Sequence, residues 1–139
     1  MTLVELIAQS IARVPDRPAL IFRERRLTYQ ALDARARLLA GLLERVGVQP
    51  ADRVVLVSPN VPEFGIGYLG TLLAGATVVP LNPLLKAEEI RYILEDSGAT
   101  AMISLQGSLP VLQAARAGVT GRRVPLVLLD AALEADGGD

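Results

Sequence analysis

Residues 67–103 read GYLGTLLAGATVVPLNPLLKAEEIRYILEDSGATAMI. Thr77 to Leu81 is a β-branched run of strand length, and Asn82-Pro83 after it is a turn. Ala87 to Ser97 then places Ile90, Ile93 and Leu94 on one helical stripe and stops at Gly98, a residue suited to a left-handed C-cap. Thr100 to Ser104 gives the next strand. A strand, a helix of about three turns and a second strand predict a parallel pair joined by a crossover.

Working outward, the same alternation continues on both sides. Arg53 to Ser58 (RVVLVS) is an unbroken β-branched run, the pattern of a strand covered on both faces. Asn60 to Ala74 follows as a helix, with Asn60 as the expected cap, Pro62 in the first turn and Glu63 at capping-box spacing. Its apolar residues lie on nearly every side, which predicts burial. Downstream, a helix over Ser108 to Ala117 and a strand over Val124 to Leu129 complete the series.

The first fifty residues differ. Thr2 to Val14 is an amphipathic helix with a Thr2/Glu5 capping box, and Leu3, Leu6, Ile7, Ile11 and Val14 form its apolar stripe. Pro15 ends it. Pro18 to Phe22 and Arg26 to Thr28 read as a hairpin around a solvated charged turn, Arg23-Glu24-Arg25. Thr28 caps a longer helix that turns Tyr29, Leu32, Ala36, Leu39, Leu43 and Val46 inward and ends at Gly47. The expected architecture is α/β: a mostly parallel, doubly wound sheet with helices on both faces, preceded by an N-terminal helix and a short β-hairpin. Residues 130–139 form an acidic, glycine-containing tail expected to fray.

Composition narrows the chemistry. With 51% hydrophobic and 21% charged residues the chain is not disordered, and 4% aromatic content makes the core aliphatic. A net charge of −1 supplies no general attraction to nucleic acid or anionic membrane. There is no cysteine and no histidine, which removes disulfides, thiolate nucleophiles, the usual zinc ligands and the ordinary general base near pH 7. Glu5 stands where a secretory leader is basic, and no apolar run approaches the ~20 residues of a membrane span. A cytoplasmic location is the expectation.

Gly65-Ile66-Gly67-Tyr68-Leu69-Gly70 matches the dinucleotide fingerprint G-x-G-x-x-G. That fingerprint works only in the tight turn straight after a strand, where backbone N–H groups meet a pyrophosphate. Here the glycines fall inside a helix, so close packing is the favoured reading and a small nucleotide-binding domain the alternative. The pairs Glu88-Glu89 and Glu95-Asp96 are adjacent in a helix and do not face each other. Ser58 and Ser104 lack a base to activate them. Ligands of open parallel sheets sit beyond the carboxyl ends of the strands, here Ser58-Pro59-Asn60, Leu81-Asn82-Pro83 and Ser104 to Gln106. Asn82 either walls such a pocket or satisfies the backbone of its own turn.

Several blocks carry a family likeness: TLVELIAQSIARVPDRPALIF, LTYQALDARARLLAGLL, VGVQPADRVVLVSPNVPEF and, most densely, YLGTLLAGATVVPLNPLLKAEEIRYILEDSGA. In this order and spacing the chain resembles the N-terminal region of the AMP-forming acyl-CoA synthetases, and PLLKAEEI is most similar to fatty-acid-type CoA ligases. Lys86 stands where such enzymes often cap the helix with Thr. The resemblance implies that residues 1–129 are the N-terminal part of a large adenylating domain. It implies ATP- and magnesium-dependent activation of a fatty or other carboxylic acid through an acyl-adenylate, then transfer to CoA or a carrier thiol. The family's phosphate loop, nucleotide segments and catalytic lysine are not among these residues, so no catalytic residue carries over. By the resemblance, the chain alone binds no cofactor and its partner is the remainder of a synthetase chain. Asn82 and Pro83 match a turn near the acyl and pantetheine side of the cleft. A second reading is a non-catalytic module that docks a partner or self-associates through uncovered apolar surface.

Overall fold

The computed structural model describes residues 2–130. The first helix, α1 (Leu3–Arg13), begins with the expected box: Thr2 Oγ1 accepts from Glu5 N at 3.1 Å, and Glu5 Oε2 accepts from Thr2 N at 3.4 Å. A hairpin of β1 (Pro18–Phe22) and β2 (Arg25–Thr28) follows, and then α2 (Tyr29–Arg45), where Thr28 Oγ1 accepts from Ala31 N at 3.1 Å. Gly47 takes φ +103°, the left-handed geometry its position requires.

The alternating series is β3 (Arg53–Val57), α3 (Pro62–Leu73), β4 (Thr77–Leu81), α4 (Ala87–Ser97), β5 (Ala101–Ser104), α5 (Leu109–Ala117) and β6 (Leu126–Leu128), with a 3-10 turn over Gln106–Ser108 before α5. All three strand pairings are parallel, in the order β4-β3-β5-β6. Side chains alternate across the sheet. Val54, Leu56, Ala101, Ile103 and Val127 enter one cluster with α2 and α3, while Val55, Val57 and Met102 enter a second with α4 and α5. The chain steps from β3 to β4 over the first face, then from β4 to β5 and on to β6 in the opposite sense over the second. All crossovers therefore share one hand, as parallel units do. The doubly wound architecture expected from the sequence is present.

β4 is an edge strand, which explains Pro80 within it. Thr77 N donates to Asp52 O at 2.7 Å, so by alternation Thr77, Val79 and Leu81 turn their N–H groups toward β3. The N–H that Pro80 lacks would have pointed away from the sheet.

Three glycines seat α3 against three different neighbours. An added Cβ would lie 2.6 Å from Leu20 of the hairpin at Gly65, 2.8 Å from Leu56 of the sheet at Gly67, and 2.7 Å from Leu39 of α2 at Gly70. The letters of the dinucleotide fingerprint thus sit mid-helix and are used for close approach. In place of an acidic ribose partner, Asn82-Pro83 ends the next strand.

Several local expectations need correction. α3 does not start at an Asn60 cap: Val61 is the N-cap, at φ −121° and ψ 168°, with no side-chain bond. Pro62 forces Val61 into extended geometry, so the helix cannot begin earlier. Glu63 makes no capping box and instead binds Arg25. Arg25 belongs to β2 and is not part of a free turn. The stripe of α1 is only partly used: Ile7 packs on the core, joined by Val4 from outside the stripe, but Leu3 and Leu6 remain 47% and 49% exposed, because α1 lies at the margin of the helical layer. Val46 is also exposed, since it stands at the end of α2 beyond the sheet-facing residues. β6 is shorter than the run Val124 to Leu129, although Val124 and Leu129 are both buried in the core. Residues 131–139, most of the expected tail, lie outside the described residues.

Candidate functional site

The carboxyl ends of β3 and β4 open into a cleft of about 370 Å³. Ser58, Asn60 and Asn82 supply its polar lining, and Pro59, Phe64, Pro80, Leu81 and Pro83 the apolar part. Two of the three strand ends singled out in the sequence therefore come together. The third does not line this cleft: at the end of β5, Ser104 Oγ donates to Leu105 O at 3.3 Å, and the carboxylate of Asp130 accepts from Gln106 N at 3.0 and 3.1 Å. That closure ties the β5 and β6 ends to each other.

Each polar lining residue is placed by its backbone. Ser58 is buried, and its hydroxyl donates to Pro59 O at 2.8 Å, so it is held, not activated. Asn82 Oδ1 accepts from Leu84 N at 2.8 Å, and Asn82 O accepts from Leu85 N at 3.1 Å. The side-chain oxygen thus builds the turn, and Asn82 also lines the cleft. Pro83 fixes the turn's backbone and forms wall. Asn60, freed from any capping role, is exposed at the mouth.

Phe64 joins this cleft to a smaller apolar one of about 220 Å³ between the hairpin and the start of α3, lined by Leu20, Ile21 and Phe22 among others. The hairpin is fastened there by Arg25. Its Nη2 and Nη1 donate to Glu63 Oε1 and Oε2 at 2.7 and 3.2 Å, a bidentate pair beside the N-terminal turn of α3. These hydrogen bonds to Glu63 hold the Arg25 guanidinium above its ordinary pKa. No local pattern announces this pair, because its members lie 38 positions apart and on different elements.

No ionisable side chain lines the main cleft, and no cluster of acidic, His or Cys residues able to hold a metal exists among the described residues. A triphosphate with its magnesium requires opposing charge and glycine-rich backbone. The cleft offers neither, so these residues do not fit ATP or Mg²⁺. Its lining is two amides, a buried hydroxyl and apolar walls. No helix among the described residues is long and apolar enough to cross a membrane.

A model of the AMP-binding enzyme family matches residues 7–137, and the chain belongs to that family. It is 41% identical over 111 residues to tyrocidine synthase 3 of Brevibacillus parabrevis, covering 80% of this chain and 2% of that protein. It is 38% identical over 109 residues to the long-chain-fatty-acid–CoA ligase of Bacillus subtilis, covering 78% of this chain and 20% of that one. The N-terminal domain of FACL13 from Mycobacterium tuberculosis superposes with a TM-score of 0.82 at 32% identity, over 94% of this chain and 34% of that one. The chain thus spans a fifth or less of the length of these two curated relatives.

Proposed function

We propose that this chain is the N-terminal portion of an ATP-dependent acyl-CoA synthetase, supplying structure and one cleft wall but no catalytic group. The complete activity would join a carboxylate to AMP with release of pyrophosphate, then pass the acyl group to a thiol, with AMP leaving. The observation that supports this reading is the uncharged cleft at the β3 and β4 ends, in a chain matched to the family over residues 7–137. Such a wall positions acyl or pantetheine groups, and it leaves phosphate and magnesium to residues outside this chain. Asn82 and Pro83 are the residues assigned to that wall. The partners implied are the remainder of a synthetase chain, a fatty or other carboxylic acid and CoA.

The test is carboxylate-dependent pyrophosphate exchange. The chain alone, shown to be folded by a cooperative melt, is expected to give no exchange above background. A longer encoded protein containing it is expected to give exchange. Turnover by the chain alone overturns the assignment of catalysis elsewhere. Exchange by the longer protein with no change in apparent KM for acid or thiol on Asn82→Ala overturns the assignment of the wall.

A further inference from the structure

The smaller cleft beside the hairpin has walls fixed by two contacts of different kinds. Leu20 lies so close to α3 that a Cβ added at Gly65 would stand 2.6 Å from its tip. The bidentate Arg25–Glu63 pair holds β2 to the first turn of the same helix. The space they leave, about 220 Å³, is bounded by Leu20, Ile21, Phe22, Val61 and Pro62, and among the described residues lining it Asn60 alone has a polar side chain. Phe64 and Asn60 also line the larger cleft at the β3 and β4 ends, so they form the boundary between the two spaces. The half-buried Phe64 ring is backed by Tyr68 one turn along α3, with ring centroids 6.1 Å apart.

The two spaces differ in what they can hold. Beyond the shared Asn60, the larger one adds the Ser58 hydroxyl and the Asn82 amide, whereas the smaller one adds only hydrocarbon. A pantetheine arm or a peptide strand brought into the smaller space would leave amide N–H and C=O groups without partners, which is costly. An alkyl chain has no such groups and gains by leaving water. Polarity thus falls from the larger cleft to the smaller in the sense that an acyl group with a polar head and a hydrocarbon end requires.

We propose that the smaller cleft receives the far end of a fatty acyl chain and that Phe64 sets how long a chain is accepted. This rests on the reading of the larger cleft as an acyl-side wall, and it narrows the substrate to an alkyl carboxylic acid. Phe64 is a specificity-determining residue, because its ring divides a space that would otherwise be continuous. Arg25 and Glu63 are positioning residues that act only through the hairpin they hold.

The test uses the longer encoded protein in carboxylate-dependent pyrophosphate exchange, with straight-chain fatty acids from hexanoate to hexadecanoate. The quantity read is the ratio of kcat/KM for a long acid to that for a short one, which a loss of stability or of active enzyme leaves unmoved. Phe64→Ala is expected to shift this ratio about tenfold toward longer acids, the scale on which an apolar pocket discriminates a methylene. Phe64→Leu, which keeps an apolar side chain in the same place, should shift it the same way by less. Ile21→Trp, at a position 63% exposed and so tolerant of a larger ring, fills the cleft and should shift the ratio toward shorter acids. Ratios unmoved by all three variants, in an enzyme whose apparent KM still responds to Asn82→Ala, overturn this proposal and leave the wall intact. Exchange confined to amino or aromatic acids overturns the alkyl substrate alone. No exchange with any carboxylate overturns the synthetase reading and this proposal with it.

Discussion

The two ends of the parallel sheet are built differently. At the amino end of the strands, polar groups are used up in joining elements. Asp52 accepts from Gln49 N at 2.8 Å and Thr100 Oγ1 at 3.1 Å through its carboxylate, and from Thr77 N through its carbonyl. Arg53 Nη1 donates to Ser97 O at 2.8 Å, and Arg122 donates to Leu94 O at 2.8 Å and to Ala99 O. Two guanidiniums thus meet the free carbonyls where α4 ends in the left-handed Gly98, the arrangement a helix C-terminus favours. At the carboxyl end, β3 and β4 diverge around a cleft without charge, held by single amide and hydroxyl contacts. One end of the sheet is given to cohesion, and the other leaves a wall that a ligand or further chain can use.

The contrast can be broken first at α3, which spans both ends. Gly70→Ala drives a methyl against Leu39 Cβ at 2.9 Å and the Ala36 carbonyl at 3.0 Å, neither of which is a free side-chain tip. Urea unfolding should show a loss of about 1–3 kcal/mol, even after the gain in helix propensity. Gly65→Ala, toward the cleft end, meets only the tip of Leu20, and its cost should be less than about 1 kcal/mol. Equal losses at both sites would erase the distinction.

Next comes Arg122→Ala, which leaves two carbonyls of the α4 end without a charged donor. We expect about 1–2 kcal/mol by the same measurement, reduced from the buried value because Arg122 is exposed. Arg122→Lys should recover only part of it, since one ammonium lacks the planar fork that reaches both oxygens.

A smaller effect is expected at Asn82. Asn82→Ala removes the acceptor for Leu84 N and should cost about 0.5–1 kcal/mol. Asn82→Asp retains an acceptor and should unfold close to the parent chain. A loss for Asp as large as that for Ala would mean that the side-chain NH₂, not the oxygen, is what the turn requires.

The smallest effect is expected from Arg25→Ala. The pair with Glu63 is bidentate but Arg25 is 54% exposed, so the change in stability should stay within about 1 kcal/mol and shrink in high salt. The guanidinium's raised pKa means that, on the alkaline side, its contribution is lost only as strong alkali deprotonates it. A melt followed across neutral pH should show no step from this group.

The layout of the fold was legible because its signals are local. Each strand of the sheet is a short, largely unbroken apolar run, and each helix shows a stripe, a proline or a glycine stop within one or two turns. Thr2, Thr28, Gly47 and Gly98 act where the sequence placed them. The cleft was half legible: the strand ends were named, but which of them open was not. Asp130 closes one end across 24 positions of sequence, and no periodicity reports such a contact. The start of α3 was misplaced because an Asn ahead of a proline looks like a cap, whereas the proline's own steric demand on Val61 sets the boundary.

By itself the sequence determined that this chain is an aliphatic, alternating α/β body without histidine, cysteine or a phosphate loop, and that its blocks are those of an adenylating family. Only the tertiary structure decided that Arg25 grips Glu63, that Arg53 and Arg122 finish α4, and that Asn82 builds a turn while facing a cleft. The division follows from range. Propensity and periodicity act over a few residues and are written along the chain, while side chains meeting from distant positions depend on how whole elements pack.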